Sequence, residues 1–241
     1  MQHLVQPLQF VKCISTLLHM EGLKPPTLWQ YVINQHVHIL SAVVGQIELV
    51  VLVMTIASIA GILIGMFVWN SRIGAEITTG IFAFIYTIPS FAMIALLLAW
   101  NMGLGWRPSV IALVLYAPLS IIRNTIVGMR SVTPAIMESA RAMGMGKYRV
   151  LFTIQLPLAW PVIITGIRIA SMNVFNLSAV AAYILGPGLG DYVFTGLQHL
   201  GSFNSLNQVL VGVIGITVLA LLFDAGFVLL RRVTTSRGLR V

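Results

Sequence analysis

Few of the 241 residues carry groups able to do acid–base, nucleophilic or metal chemistry: six Asp and Glu, five His and a single cysteine, Cys13. The most suggestive string is MGMGK, Met143 to Lys147. A phosphate-binding loop needs a glycine five residues before its last glycine and a Ser or Thr after its lysine, because backbone amides cradle the phosphates and the hydroxyl holds Mg²⁺. Arg141 and Tyr148 stand at those positions, so the string is no such loop. His36 and His38 would point to different faces of a helix, and no metal site is expected from them. A lone cysteine excludes an internal disulfide and a cysteine metal cage. Gly186-Pro187-Gly188-Leu189-Gly190 lacks the strand-to-helix setting of a dinucleotide loop and is read as a tight external surface for a docking partner.

Three charges remain in apolar surroundings: Arg123, Arg168 and Asp224. At 1.5 Å per helical residue they lie about 9 Å from Met129, about 16 Å from Pro157 and about 10 Å from Arg231, so all three reach comparable depth. Polar groups inside a membrane are costly and are either paired or functional. Asp224 is expected to neutralise Arg168 or Arg123 across helices; a gate that exchanges partners during a cycle is the alternative.

The elements that must position these groups are set by composition. The chain is 58% hydrophobic and 8% charged, against about a quarter charged in soluble domains. It reads as an all-α integral membrane protein, since continuous apolar runs replace the short alternating strands of a barrel. Five spans are expected: Leu49 to Trp69, Ile77 to Trp100, Ser109 to Met129, Pro161 to Leu185 and Leu206 to Leu230. Pro89 and Pro118 would kink the second and third, and Gly61 with Gly65 would let helices approach closely.

Basic residues gather on the cytoplasmic side of membranes. Arg130, Arg141, Lys147 and Arg149 lie between spans three and four, and Arg231, Arg232, Arg237 and Arg240 follow the last span, whereas Tyr183 to Leu206 holds no Lys or Arg. The N-terminus is therefore expected outside and the C-terminus inside, in a multi-pass membrane protein. The net charge of +8 then reflects topology, not nucleic-acid binding. Residues 1–40 form an extracytoplasmic or interfacial segment without an evident signal peptide, in which Leu28 to Ile39 reads as an interfacial helix. Residues 41–235 form the transmembrane domain, and 236–241 a basic cytoplasmic tail.

The cytoplasmic loop 130–157 has its own pattern. Thr133-Pro134 starts a helix with threonine as cap, and Ile136, Ala140 and Met143 share a face. Gly144 turns the chain, and Lys147 to Ile154 forms a second short helix that Leu156-Pro157 stops. The unit is either an amphipathic loop on lipid or a rigid corner that fits a groove on a soluble partner.

Glu138-Ser139-Ala140, Gly144, Ile154 and Leu156-Pro157 resemble the EAA loop of binding-protein-dependent ABC transporter permeases, with Ser139 where that family usually has alanine. The resemblance implies that Glu138, Ser139, Ala140, Met143, Gly144, Ile154, Leu156 and Pro157 form a coupling helix for a cytoplasmic ABC ATPase. It also implies a second permease copy or paralogue and an external solute-binding protein, with ATP and Mg²⁺ held by the ATPase and no cofactor on this chain. YTIPSFAMIALL (Tyr86 to Leu97), LYAPLSIIRNT (Leu115 to Thr125), GIR (Gly166 to Arg168) and LGPGLGDYVFTGL (Leu185 to Leu197) are similar to the subgroup that imports glycine betaine, choline and carnitine. A quaternary ammonium offers charge without donors and asks for aromatic surroundings. Tyr86, Pro89, Ser90, Tyr116, Asn173 and Tyr183 are the candidate translocation path, with Trp100 an interfacial anchor. The expected protein is a transport subunit and not an enzyme. Alternatives are an ion-coupled transporter or channel working alone, a permease for another small solute such as an amino acid, and a membrane enzyme.

The charge asymmetry carries a direct test. In a background lacking Cys13, a cysteine at Ser202 should react with an impermeant thiol reagent in intact cells, and one at Ser236 should not. The reverse labelling pattern would invert the topology.

Overall fold

Inside a bilayer no water reaches a backbone N–H or C=O, so a spanning chain must close its hydrogen bonds within helices. Residues 27–234, which the computed structural model describes, are helical with no strand among them. The expectations for residues 1–26 and for the tail 236–241 fall outside those residues. Helix α1 (Leu28–Asn34) starts at Thr27, whose hydroxyl accepts the N–H of Gln30 while the Gln30 side chain accepts the N–H of Thr27. It is followed at once by α2 (His36–Val68). The helix expected over Leu28 to Ile39 therefore ends at Asn34, and the first long helix begins at His36 instead of Leu49. Glu48 and the two histidines lie on its surface, where one face of a helix carries polar groups without ending it.

The chain continues through α3 (Arg72–Thr87), α4 (Ser90–Ala99), α5 (Trp106–Tyr116) and α6 (Pro118–Arg130). Then come α7 (Pro134–Ala142), α8 (Lys147–Val150), a π-helical turn at Leu151–Gln155 and α9 (Leu156–Ala181). A 3₁₀ turn (Ala182–Ile184), α10 (Gly190–Gln198) and α11 (Ser205–Thr234) complete it. Four stretches are long and apolar enough to cross a membrane unbroken: His36–Val68, Trp106–Arg130, Lys147–Ile184 and Ser205–Thr234. A fifth candidate is the pair α3 and α4, bent by 88°. These correspond in order to the five expected spans, the second counting as one only if both arms together cross.

The two prolines expected to act alike do not. Before Pro89, Ile88 is extended (φ −65°, ψ 126°), the conformation that a following proline ring favours, and the span breaks. Before Pro118, Ala117 stays helical (φ −64°, ψ −38°) and α5 continues into α6 as one span. At the break the Tyr116 hydroxyl donates to the Ile88 carbonyl at 2.6 Å. Pro157 also departs from expectation. It does not stop a helix, because the wider π turn just before it lets the chain run on from α8 into α9, shifting the carbonyls that the ring would otherwise strike.

The core lies where α2, α5–α6 and α9 meet, with Leu49, Val53, Ile121, Val174 and Phe175 sealed from solvent. Gly61 and Gly65 are the contact line between α2 and α6, as expected. A Cβ on Gly61 would lie 2.8 Å from a methyl of Ile121, and one on Gly65 would lie 2.6 Å from the Thr125 Cβ. By contrast α3 and α11 present apolar residues outward, Phe84, Leu221 and Leu222 among them, an arrangement that suits lipid or a second subunit and not water.

That contact line gives a stability test. Gly65→Ala should cost about 1–3 kcal/mol by overpacking, read as a lower melting temperature in detergent. Gly80→Ala, where a new Cβ meets nothing within 4 Å, should leave it unchanged. Equal melting temperatures would show that α2 and α6 are not in close contact.

Candidate functional site

The corner between spans three and four is built from α7, a glycine turn and α8. Thr133 occupies the cap position of α7 but its hydroxyl caps no N–H, and Pro134 opens the helix. The helix ends in a double-bonded turn: the Gly144 N–H donates to the Arg141 carbonyl at 2.9 Å and the Met145 N–H to the Ala140 carbonyl at 3.2 Å. That pattern requires a left-handed residue just past the helix, and Gly144 has φ +81°. The turn is thus locked by its own backbone. Its outer surface is unusually bare: Met143 is 74% exposed and Tyr148 81%, beside exposed Ile136, Phe152 and Glu138. Ala140 alone of the expected apolar face is buried; Ile136 and Met143 point out, because Met143 already lies beyond the last helical turn. Ser139 bonds the Ala135 carbonyl at 2.8 Å. Ile154 and Leu156 are half-buried and Pro157 is exposed.

Gln155, between those last residues, is what ties the corner to the bundle. It is buried, and its Nε2 donates to the Met129 carbonyl at 3.0 Å, one of the carbonyls that the end of α6 leaves without a helical partner. Next to it Arg130 donates to the carbonyls of Trp69 (2.9 Å) and Ser71 (3.3 Å), closing the α2–α3 turn. Arg72 pairs with Glu76 at 3.1 Å at the same end.

Of the three membrane charges, two meet. Arg168 on α9 grips Asp224 on α11 with Nε on Oδ1 and Nη2 on Oδ2, the latter at 2.7 Å. Two parallel bonds fix geometry as well as neutralise charge. Arg123 takes no part. It is exposed on α6 and lines, with Glu76, Thr79 and Gly80 of α3, a groove of about 490 Å³.

The candidate path residues divide around the broken span. Pro89 and Ser90 form the break. Tyr116 is buried behind it, its ring edge-on to exposed Tyr86 with centroids 5.9 Å apart. Tyr183 is exposed and edge-on to both Phe91 of α4 and Phe194 of α10, 5.6 Å from each. Asn173 lies half-buried on α9 without a contact of this kind to the others. Trp100 is exposed at the end of α4.

At the opposite end of the bundle from the corner, the glycine loop is held by another buried amide. Gln46 of α2 donates to the Ser178 hydroxyl at 2.6 Å and accepts the Leu189 N–H at 3.3 Å. Neither Gln46 nor Gln155 stood out in the sequence. The only signal was a lone glutamine within an apolar run, which does not say whether it faces a partner or solvent.

Residues 27–235 match the family of binding-protein-dependent transport system inner membrane components. The chain belongs to this family. It is 33% identical to the choline transport system permease protein OpuBB of Bacillus subtilis over 189 residues, 77% of this chain and 85% of that protein. The carnitine transport permease protein OpuCD of Listeria monocytogenes is 38% identical over 168 residues, 70% and 74% of the two chains. In fold the chain is similar to an inward-facing structure of the MetNI methionine ABC transporter, with a TM-score of 0.70 at 17% identity, covering 82% of this chain and 96% of that one. The family is one of membrane components of transport systems, so the five candidate spans, the corner and the broken helix are parts of a transport permease.

Within this permease the Arg168–Asp224 pair is open to a double-mutant test. Asp224→Asn should lower the melting temperature in detergent by a few degrees at most, since a part-exposed arginine loses its bidentate partner. Adding Arg168→Gln should recover part of that loss, while adding Arg123→Gln should not. Additive losses with Arg168→Gln would show that the pair contributes nothing.

Proposed function

We propose that this permease is the membrane subunit of an ATP-driven importer for quaternary-ammonium osmoprotectants such as glycine betaine, carnitine and choline. On this reading it lies in a bacterial cytoplasmic membrane with its N-terminus outside, its C-terminus inside and the Pro134–Gln155 corner in the cytoplasm. It pairs with a second copy or a paralogue, receives cargo from an external solute-binding protein and docks a cytoplasmic ABC ATPase that holds ATP and Mg²⁺. The relatives that carry choline and carnitine support the cargo, and the concentration of arginine at the corner end supports the orientation.

The observation that carries the docking role is the corner itself: a turn locked by two backbone bonds, presenting Met143, Tyr148 and Phe152 to the outside. A rigid apolar prominence fits a groove of a soluble partner. Its mechanical reach follows from two connections. The corner runs through α8 and the π turn into α9 without interruption, and Gln155 bonds it to the end of α6. A displacement imposed on the corner by the ATPase therefore moves the helix bearing Arg168 and the helix bearing Arg123 together. The carboxylate that an ion-coupled carrier would use, Asp224, is already engaged by Arg168.

Gly144→Val tests the docking role. A β-branched residue at φ +81° costs on the order of 1–2 kcal/mol locally, too little to unfold the bundle but enough to redirect the corner. Membrane levels should stay normal while ATPase co-purification weakens and uptake is nearly lost; Glu138→Ala should act the same way more mildly. Wild-type transport with the ATPase fully retained would remove the docking role. For the cargo, cells depending on this system should grow at high osmolarity when given betaine, carnitine or choline. Rescue by an amino acid and by none of these three would overturn the substrate assignment.

A further inference from the structure

At the end of the bundle opposite the corner, α1, the start of α2, the glycine loop and α10 enclose a groove of about 680 Å³. Small-molecule sites typically measure roughly 300–1,000 Å³. Its loop wall is held from three sides. Gln46 bonds Leu189 and packs so closely on Gly188 (φ +127°) that a Cβ there would meet its Oε1 at 2.2 Å. A Cβ on Gly186 would lie 2.5 Å from the Ser109 hydroxyl. Leu185 is kept at φ +60°, which is uncommon for a residue with a side chain, and the adjacent Ile184 carbonyl accepts the Gly105 N–H at 2.7 Å.

The lining is suited to one sign of charge. The chain as a whole carries +8, yet among the described residues the ionisable side chains lining the groove are Asp191, His38 and two tyrosines, with no Lys or Arg. Tyr31, buried, and Tyr192, half-buried, line it as well. Burial, then the neighbouring Tyr31 and Asp191, pushes the Tyr192 phenol up from its usual range, which keeps it neutral. The buried amide oxygen of Gln208, also in the wall, has no hydrogen-bond partner among the described residues. Two aromatic rings and a carboxylate favour positive charge. A compact inorganic ion would keep its water in so wide a groove, whereas methylated nitrogen spreads its charge over a surface that rings can cover. None of Tyr86, Pro89, Ser90, Tyr116, Asn173 and Tyr183 lines this groove.

We propose that this groove is a binding site for a quaternary-ammonium cation, separate from the translocation path. That it opens on the outer face rests on the orientation given above; the chemistry of the site does not.

The test uses the purified full-length chain in lipid nanodiscs without any binding protein. Tetramethylammonium chloride is titrated against a matched sodium chloride blank and followed by saturation-transfer NMR of its methyl protons. Saturable binding is expected in the wild type. Tyr192→Leu should weaken it about tenfold, the scale of a desolvated cation–ring contact, and Asp191→Asn about threefold, the scale of a solvent-screened charge pair. Tyr192→Phe, which keeps the ring, should bind within about twofold of wild type. The neutral isostere 3,3-dimethylbutanol should not compete. Asp191 is exposed, so its amide variant disturbs no packing and reports on charge alone. Wild-type binding in both Asp191→Asn and Tyr192→Leu would overturn the site, and so would competition by the neutral isostere. So would loss of binding in Tyr86→Leu with the groove variants intact, which would put the cation in the path. Growth rescue by osmoprotectants is scored separately. Rescue without groove binding removes only this site, and groove binding without rescue removes only the cargo assignment.

Discussion

A backbone polar group left open in a bilayer has nowhere to turn, and the places where this chain stops being a regular helix are governed by that constraint. Three buried side chains attend to them. Tyr116 covers the Ile88 carbonyl where the second span breaks. Gln155 covers the Met129 carbonyl where the third ends. Gln46 covers the Leu189 amide where the chain returns after the fourth. Each comes from a different helix than the group it satisfies, so each repair is also a joint between elements. Remove the joints and a set of apolar helices remains, with little in lipid to set their mutual arrangement, since tails are as apolar as the helices.

The joints fall where a transporter needs defined geometry. The Tyr116 bond ties down a break of 88°, which puts irregular backbone beside the Tyr86 and Tyr116 rings. Gln155 lies in the π turn that lets Pro157 enter a helix that then runs on to Ala181. The corner outside that turn is rigid for a separate reason, its backbone bonds and a left-handed glycine. Stiffness at the corner and continuity into α9 act together: a force applied to Tyr148 or Phe152 is carried along one helix and, through Gln155, into a second.

Charge is handled with equal economy. Arg168 and Asp224 neutralise each other with two bonds across α9 and α11, while Arg123 is directed to a groove on the outer surface of the bundle beside α3. The glycine loop at the other end, drawn tight by Gln46, brings Tyr192 and Asp191 of the following helix to the same groove as Tyr31 of the first. A sequence separation of more than 150 positions thus becomes one lining.

The class of the protein, the order of its long apolar helices, the Gly61–Gly65 contact and the left-handed turn at Gly144 were legible in the residues alone. Each follows from a local property: apolar length, missing side chains, or a backbone angle that only glycine takes without cost. The family likewise was legible, in the Glu138 to Pro157 pattern. What the tertiary structure decided is which polar group meets which. Depth along a helix left Arg123 and Arg168 equal as partners for Asp224, and the packing of α11 against α9 and not α6 separates them. Pro89 and Pro118 look alike in sequence, yet Ile88 turns extended and its span breaks whereas Ala117 stays helical and its span does not. Pro157 reads as a stop until the π turn before it is seen. Hydropathy reports how a residue interacts with solvent, whereas these outcomes depend on the azimuth at which helices pack, a quantity fixed by the shapes of residues far apart in the chain.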